Sequence, residues 1–197
     1  MISTLKNLVD IRASYSEVHV IHSFLLLSEK PLGRFSLMEQ LGLNEASVKT
    51  LLKKLVEAGF AESSTKGAVL TKKGEDFVDG LLGHISKPAK LKIEKLVVDT
   101  HNTAIVVKNS SKKVGNCIHL RDAAIRAGAT GLTVLLKDGE RLALPNCDFP
   151  IDYAKEAIES VLTLDDGDAI LIGSAPTYLK SKQGAIAAAL ELLDSTA

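Results

Sequence analysis

The sequence predicts an α+β protein in two parts, and three observations carry that prediction. Between residues 17 and 84 apolar residues recur at helical spacing, broken only by short turns and one hairpin-like stretch. From about residue 93 onward, short β-branched runs alternate with amphipathic stretches and are punctuated by Gly, Pro and Asp-Gly. A chain of 197 residues with 46% hydrophobic content can fill two small cores, and 4% aromatics with no Trp make those cores aliphatic.

Leu5, Leu8, Val9 and Arg12 give residues 4–13 a short amphipathic helix, suited to docking on a neighbouring element or a second subunit. Ser16 caps a helix from Glu17 to Lys30, whose Val18, Val20, Ile21, Phe24, Leu25 and Leu27 supply the first core surface. His19 and His22 on it have a metal-compatible spacing but no Cys or acidic partner, and read as surface or interface residues. Pro31-Leu32-Gly33 ends that helix. Ser36 with Glu39 forms a capping box for the next, which closes at Gly42. Asn44 then caps a helix with Val48, Leu51, Leu52 and Leu55 on one stripe, stopping at Gly59. Strands from Phe60 to Glu62 and from Ala68 to Leu70 flank the polar turn Ser63–Gly67, and Thr71 caps a helix that carries Phe77, Val78, Leu81 and Leu82 to about His84. Helix, turn, helix and hairpin in this order are a winged helix-turn-helix.

On the helix that Asn44 opens, Ala46, Lys49, Thr50 and Lys53 point away from the apolar stripe, with Ser47 and Lys54 on its shoulders. Small and hydroxyl side chains near the N-terminus allow close approach to base edges in a major groove, and lysines further along reach phosphates. Ser47, Thr50 and Lys53 would then face bases, Lys49, Lys54 and Arg34 would hold phosphates, and Lys66 at the hairpin tip would meet the backbone or minor groove. An ordinary solvated face carries the same residue types, and Arg34 suits a glutamate salt bridge equally well. Net charge is zero, yet residues 1–92 hold 13 Lys+Arg against 10 Asp+Glu and residues 93–197 hold 11 against 14, so the positive excess falls on this half.

Ala58-Gly59-Phe60 and Leu70-Thr71-Lys72-Lys73-Gly74 carry a resemblance. Over residues 17–84 the chain resembles winged-helix transcription regulators of the MarR and IclR kind, whose recognition helix often ends in a Gly-aromatic step and whose wing often closes with Leu-Thr-x-x-Gly. The resemblance implies double-stranded DNA as partner. The layout of a winged helix before an α+β domain, with His119, Arg121-Asp122-Ala123-Ala124 and Gly128-Ala129-Thr130-Gly131-Leu132, is similar to a set of archaeal regulators.

Pro88 among Lys87, Lys90 and Lys92 marks a linker between a domain at residues 1–87 and a second at 93–197. In the second, Lys95–Lys108 reads as one bent strand or a hairpin, Ser110–Gly115 as a polar loop, and Leu120–Ala127 as a helix closed by Gly128. Leu132–Leu136 and Arg141–Leu144 pair through Asp138-Gly139, followed by the loop Asn146–Pro150. A helix Tyr153–Val161, the turn Asp165–Asp168, a strand Ala169–Gly173 and a helix Tyr178–Leu193 complete a mixed or antiparallel sheet domain. The face Ile186, Ala189, Leu190 and Leu193 of the last helix either covers this sheet or meets a second copy. Two polar groups suit an anionic ligand at helix N-termini: His119, Arg121 and Asp122 near Cys117 and Arg126, and Ser174 with Thr177 in the stretch from Gly173. The plainer readings are an Asp122 that complements a helix dipole and a short strand-to-helix loop.

Cys117 and Cys147 are too few and too distant for a disulfide framework and read as reduced thiols. No apolar run approaches the ~20 residues of a membrane span, so the expected location is the cytoplasm. No metal quartet, cofactor motif or nucleophile–base signature is present, so neither metal nor cofactor is expected, and the chain is not expected to be an enzyme. The expectation is a homodimeric DNA-binding transcription regulator whose second domain senses a small-molecule effector or mediates dimerisation. The alternative is a winged helix used as a protein-docking module on an enzyme or structural domain.

Overall fold

The computed structural model describes residues 2–10, 12–147 and 151–194, with the side chains of Asp152 and Tyr153 outside the description. The chain divides into two compact units, Met1–Leu82 and Gly83–Ala197.

The first unit runs α1 (Ile2–Leu8), α2 (Glu17–Leu27), α3 (Arg34–Leu41), α4 (Glu45–Glu57), a hairpin of β1 (Ala61–Ser64) and β2 (Gly67–Leu70), and α5 (Lys72–Leu82). Its core joins Leu5 and Leu8 to Val20, Ile21, Phe24, Leu37, Leu41, Val48, Leu51, Leu55, Val78 and Leu81. Phe24, Phe60 and Phe77 form a ring cluster with centroids 4.6–5.4 Å apart, which explains the Gly-Phe step: Gly59, at φ +74°, turns the chain so that Phe60 enters the core. Leu32 adds a third strand position to the hairpin, exchanging two backbone hydrogen bonds with Ala68 (2.9 and 3.1 Å). Gly67 makes this possible, because a Cβ there would stand 2.4 Å from the Leu32 backbone. Asn44 caps α4 as expected, its Oδ1 accepting the Ser47 N–H at 2.9 Å. Thr71 Oγ1 accepts the Gly74 N–H at 3.3 Å and donates to the Gly59 carbonyl at 2.7 Å, tying α5 to the end of α4.

Several local expectations need correction. Ser36 and Glu39 do not start α3; it begins at Arg34 behind Gly33, and Ser36 Oγ inside the helix accepts from Gln40 Nε2. α2 stops at Leu27 rather than Lys30, with Ser28 Oγ donating to the Leu25 carbonyl before the chain extends toward Leu32. β1 reaches Ser64, which shortens the expected five-residue turn to Thr65-Lys66. α1 ends at Leu8, so Arg12 lies outside it; Ile11, within the expected helix, is outside the described residues. His22 is buried in α2, and His19 Nδ1 accepts the Ser16 N–H at 3.2 Å, so the pair does not present two surface imidazoles.

The second unit is a five-stranded sheet of order β3 (Ala89–Leu91), β4 (His101–Val107), β7 (Ala169–Ala175), β5 (Gly131–Asp138), β6 (Arg141–Ala143), antiparallel at every pairing. α8 (Tyr178–Asp194) and α6 (Ile118–Arg126) pack on one face, where Thr103 Oγ1 and Ser181 Oγ share a hydrogen bond of 2.7 Å. α8 comes close because it meets the sheet with small residues: a Cβ on Gly173 would stand 2.4 Å from the Ser181 carbonyl, and one on Gly184 2.5 Å from Ala129 Cβ. Its apolar face therefore covers its own sheet. The opposite face packs Ala104, Val106, Leu135, Ile170 and Ile172 against Ile151, Ala154 and Ile158, the last two from α7 (Asp152–Glu159). Asp168 ties the β-turns together: its Oδ1 accepts the Asn109 N–H and its Oδ2 the Asp165 N–H.

The expected linker at residues 88–92 is instead part of this sheet. Ile85 bridges Val107, and Ala89–Leu91 pair with Asn102–Ala104, so the segment is an edge strand. Conversely, Leu96-Val97-Val98 forms neither a strand nor half of a hairpin. Leu96, at φ +70°, bends the chain across the end of the sheet, where its carbonyl accepts from Thr133 Oγ1 and Val98 lies against Gly131. Residues 148–150 of the expected Asn146–Pro150 loop lie outside the described residues.

Candidate functional site

α4 presents Ala46, Lys49 and Lys53 to solvent, with Thr50 half-buried. Each cation on this face has a carboxylate partner. Arg34 Nη1 and Lys49 Nζ approach the same atom, Glu45 Oε1, at 3.2 and 2.9 Å, and Lys53 Nζ is 3.7 Å from Glu57. The Lys49 hydrogen bond, then its charge and that of Arg34, holds the Glu45 carboxyl below its ordinary range. Arg34 thus makes the glutamate bridge, one of the two roles open to it. Such exposed pairs contribute about 0–1 kcal/mol and exchange readily for another anion. Thr50 Oγ1 donates to the Ala46 carbonyl four residues back (2.9 Å) and keeps an acceptor lone pair outward. Lys66 occupies the hairpin turn, exposed, its N–H donating to Ser64 Oγ.

Ser47 is not an outward residue. It is 4% exposed, because the segment leading from α1 to α2 passes beside the start of α4. Asp10, Arg12, Ala13 and Ser14 from that segment and Asn44, Ala46, Ser47 and Thr50 from α4 line a cavity of about 320 Å³. Arg12 is the cation that sequence spacing hid: assigned to an amphipathic helix, it is 88% exposed and tethered to Asp10 Oδ1, 3.4 Å away. Its backbone and guanidinium hydrogen bonds lower the Asp10 pKa, with a smaller contribution from Lys54, which is half-buried near that carboxylate.

In the second unit the two expected ligand groups sit on different elements, His119, Arg121 and Asp122 on α6, and Ser174 and Thr177 at the end of β7 and just before α8. Arg121 is exposed and pairs with Asp122 at 3.7 Å, and His119 is half-buried on α6. Ser174 belongs to β7, fully buried, rather than to a strand-to-helix loop. Thr177 caps α8, its Oγ1 accepting the Lys180 N–H at 3.3 Å. None of the five lines the cavity of about 580 Å³ formed by Leu91, Lys92, Ile93, Glu94, Lys95, Thr100, Ala157 and Tyr178. Sequence reading passed over this place because it treated Lys90 and Lys92 as linker; the alternation Ala89-Lys90-Leu91 was the available signal. Burial raises the Cys117 thiol pKa, which makes it a poorer nucleophile. Among the described residues there is no group of three His, Cys, Asp or Glu suited to a metal, and no helix long and apolar enough to cross a membrane.

Two family profiles match the chain: "PH0730-like, N-terminal domain" over residues 17–76 and "Domain of unknown function (DUF4443)" over residues 98–192. The solved structure of hypothetical protein PH0730 from Pyrococcus horikoshii OT3 is 31% identical, with 92% of this chain and 100% of that one covered at a TM-score of 0.77. No curated protein matches the chain.

Proposed function

The chain belongs to the PH0730-like family, and from that starting point we propose that it is a cytoplasmic, homodimeric transcription regulator that binds double-stranded DNA. The observation that carries this reading is the three-part assembly of α3, α4 and a Leu32-braced hairpin, with exposed cations on α4 and at the hairpin tip. That arrangement supports the finer likeness to regulators of the MarR and IclR kind. Lys53 and the Thr50 hydroxyl face base edges in the major groove; Arg34 and Lys49 hold phosphates after exchanging Glu45, and Lys54 holds a phosphate beside them; Lys66 meets the backbone. Arg12, beside the start of α4, joins the phosphate contacts, and the buried Ser47 drops out of the base-facing set. A dimer places two α4 helices about 34 Å apart in successive grooves. The C-terminal unit senses a small molecule rather than catalysing a reaction, and its ligand shifts the population of DNA-competent dimers.

The test is fluorescence anisotropy of a labelled mixed-sequence duplex at several salt concentrations. Affinity should fall by about 0.9 log units per log unit of salt for each phosphate neutralised, and Lys53→Glu/Lys66→Glu should weaken binding and flatten the slope. Unchanged binding in the double variant would remove α4 and the hairpin from the interface. One observation favours a second reading, a protein-docking module: Phe35 at the start of α3 is 79% exposed beside the neutralised Arg34–Glu45 pair. No duplex binding at low salt would select it.

A further inference from the structure

We propose that the 580 Å³ cavity beside β3 binds a small organic phosphate, with Lys92 and Lys95 taking the phosphate and Leu91, Ile93, Ala157 and Tyr178 the organic part. Its size falls within the roughly 300–1,000 Å³ of small-molecule sites, and its walls divide by chemistry as such sites do. Two lysines against the single carboxylate of Glu94 leave the lining positive. Outside the lining, Lys90 Nζ stands 4.4 Å from the Tyr178 ring centroid and His101 packs edge-on against the same ring at 4.5 Å, fixing Tyr178 as a rigid wall. Tyr178 also opens the 17-residue α8, so the positive end of that helix adds to the field.

A separate observation marks the same end of the sheet. Asn102, the cross-strand partner of Leu91, is 2% exposed and its Oδ1 has no hydrogen-bond partner among the described residues; Ser174, the partner of Asn102 on the next strand, is fully buried and its Oγ has none among them either. In-register antiparallel partners share a face, so Leu91, Asn102 and Ser174 form one row leading inward from the cavity. Buried polar atoms are rarely left unsatisfied without a functional reason. The segment 92–100, which contributes Lys92, Ile93, Glu94, Lys95 and Thr100 to the lining, is anchored by Thr130 Oγ1 donating to Asp99 Oδ2 at 2.8 Å and by Thr133 donating to the Leu96 carbonyl.

The biological purpose of this site rests on the sensory role proposed above, but its chemistry does not, and the test contains no DNA. Isothermal titration at low salt would compare AMP and ribose 5-phosphate with inorganic phosphate and adenosine, using wild type, Lys92→Glu/Lys95→Glu and Ala157→Phe. The expected result is saturable binding of at least one organic phosphate, stronger than either inorganic phosphate or adenosine and weakened by at least about tenfold in each variant. Circular dichroism confirms that the variants are folded. Absence of binding by both organic phosphates overturns the proposal, as does affinity equal to that of inorganic phosphate or adenosine, or binding that survives both variants. Failure here leaves duplex binding untouched, and failure of duplex binding leaves this titration readable.

Discussion

Glu45 is the residue through which the proposed DNA interface is most directly tested, because one of its oxygens holds two of the cations assigned to phosphates. Glu45→Gln keeps the shape of the side chain and removes its charge, releasing Arg34 and Lys49. Each released cation that goes on to neutralise a phosphate steepens the log K against log salt slope by about 0.9. One carboxylate masks one positive charge, so with one charge gained in each of two protomers the slope should steepen by up to about 1.8, and a fourfold drop in salt widens the gap between variant and wild type by up to roughly tenfold. Anisotropy of the labelled duplex across a salt series reads this directly, with circular dichroism confirming that α4 is retained. Acidification does not substitute for the mutation near neutral pH. The lowered pKa keeps Glu45 charged until pH falls below the usual carboxylate range, and its contribution to stability, present above the unfolded-state pKa, is lost only as pH falls through the lower folded value. A slope that is unchanged or shallower in the folded variant would refute the placement of Arg34 and Lys49 against phosphates.

Ser47→Ala should leave duplex affinity and salt slope unchanged, since Ser47 is buried beside residues 10 and 12–14; a clear loss of affinity would restore it to the interface. Phe60→Ala removes one ring of the three-ring cluster and should cost about 3–5 kcal/mol in urea unfolding; a cost below ~1 kcal/mol would mean that the hairpin does not depend on that anchor. Asp99, whose pKa is lowered first by the Thr100 N–H and next by the Thr130 hydroxyl, stabilises the fold above the unfolded-state carboxyl pKa and loses that contribution as pH falls through its lower folded value. Asp99→Asn should therefore flatten the acid limb of the thermal stability profile, and an unaltered limb would show that this carboxylate is not what holds the 92–100 segment.

The local elements of the first unit were legible because their signals are local. Asn44 caps α4, Gly42 and Gly59 take left-handed φ values of +67° and +74°, and Val48, Leu51 and Leu55 are all buried, each a consequence of chemistry within one or two helical turns. The pairing through Asp138 and Gly139 was readable for the same reason: Asp138 pairs with Arg141 across a tight turn in which Gly139 adopts φ +53°. Ser36 and Glu39 show the limit of such signals, since the capping box they spell lies inside a helix that Gly33 had already opened.

Where contacts are long-range, the tertiary structure decided. Leu32 joins a hairpin 36 residues away through the gap that Gly67 leaves, and residues 89–91 become an edge strand because β4 offers an unpaired backbone row. Ser47 stands on the shoulder of the apolar stripe by angle, yet it is buried beside a segment more than 30 residues earlier in the chain. The two cavities are assembled from distant segments, residues 10 and 12–14 with others between 44 and 50 in one, and residues 91–95 and Thr100 with Ala157 and Tyr178 in the other. Helical period and turn chemistry are written in neighbouring residues. Which exposed face is covered, which cation is already paired and which polar atom is buried depend on what the folded chain brings beside it.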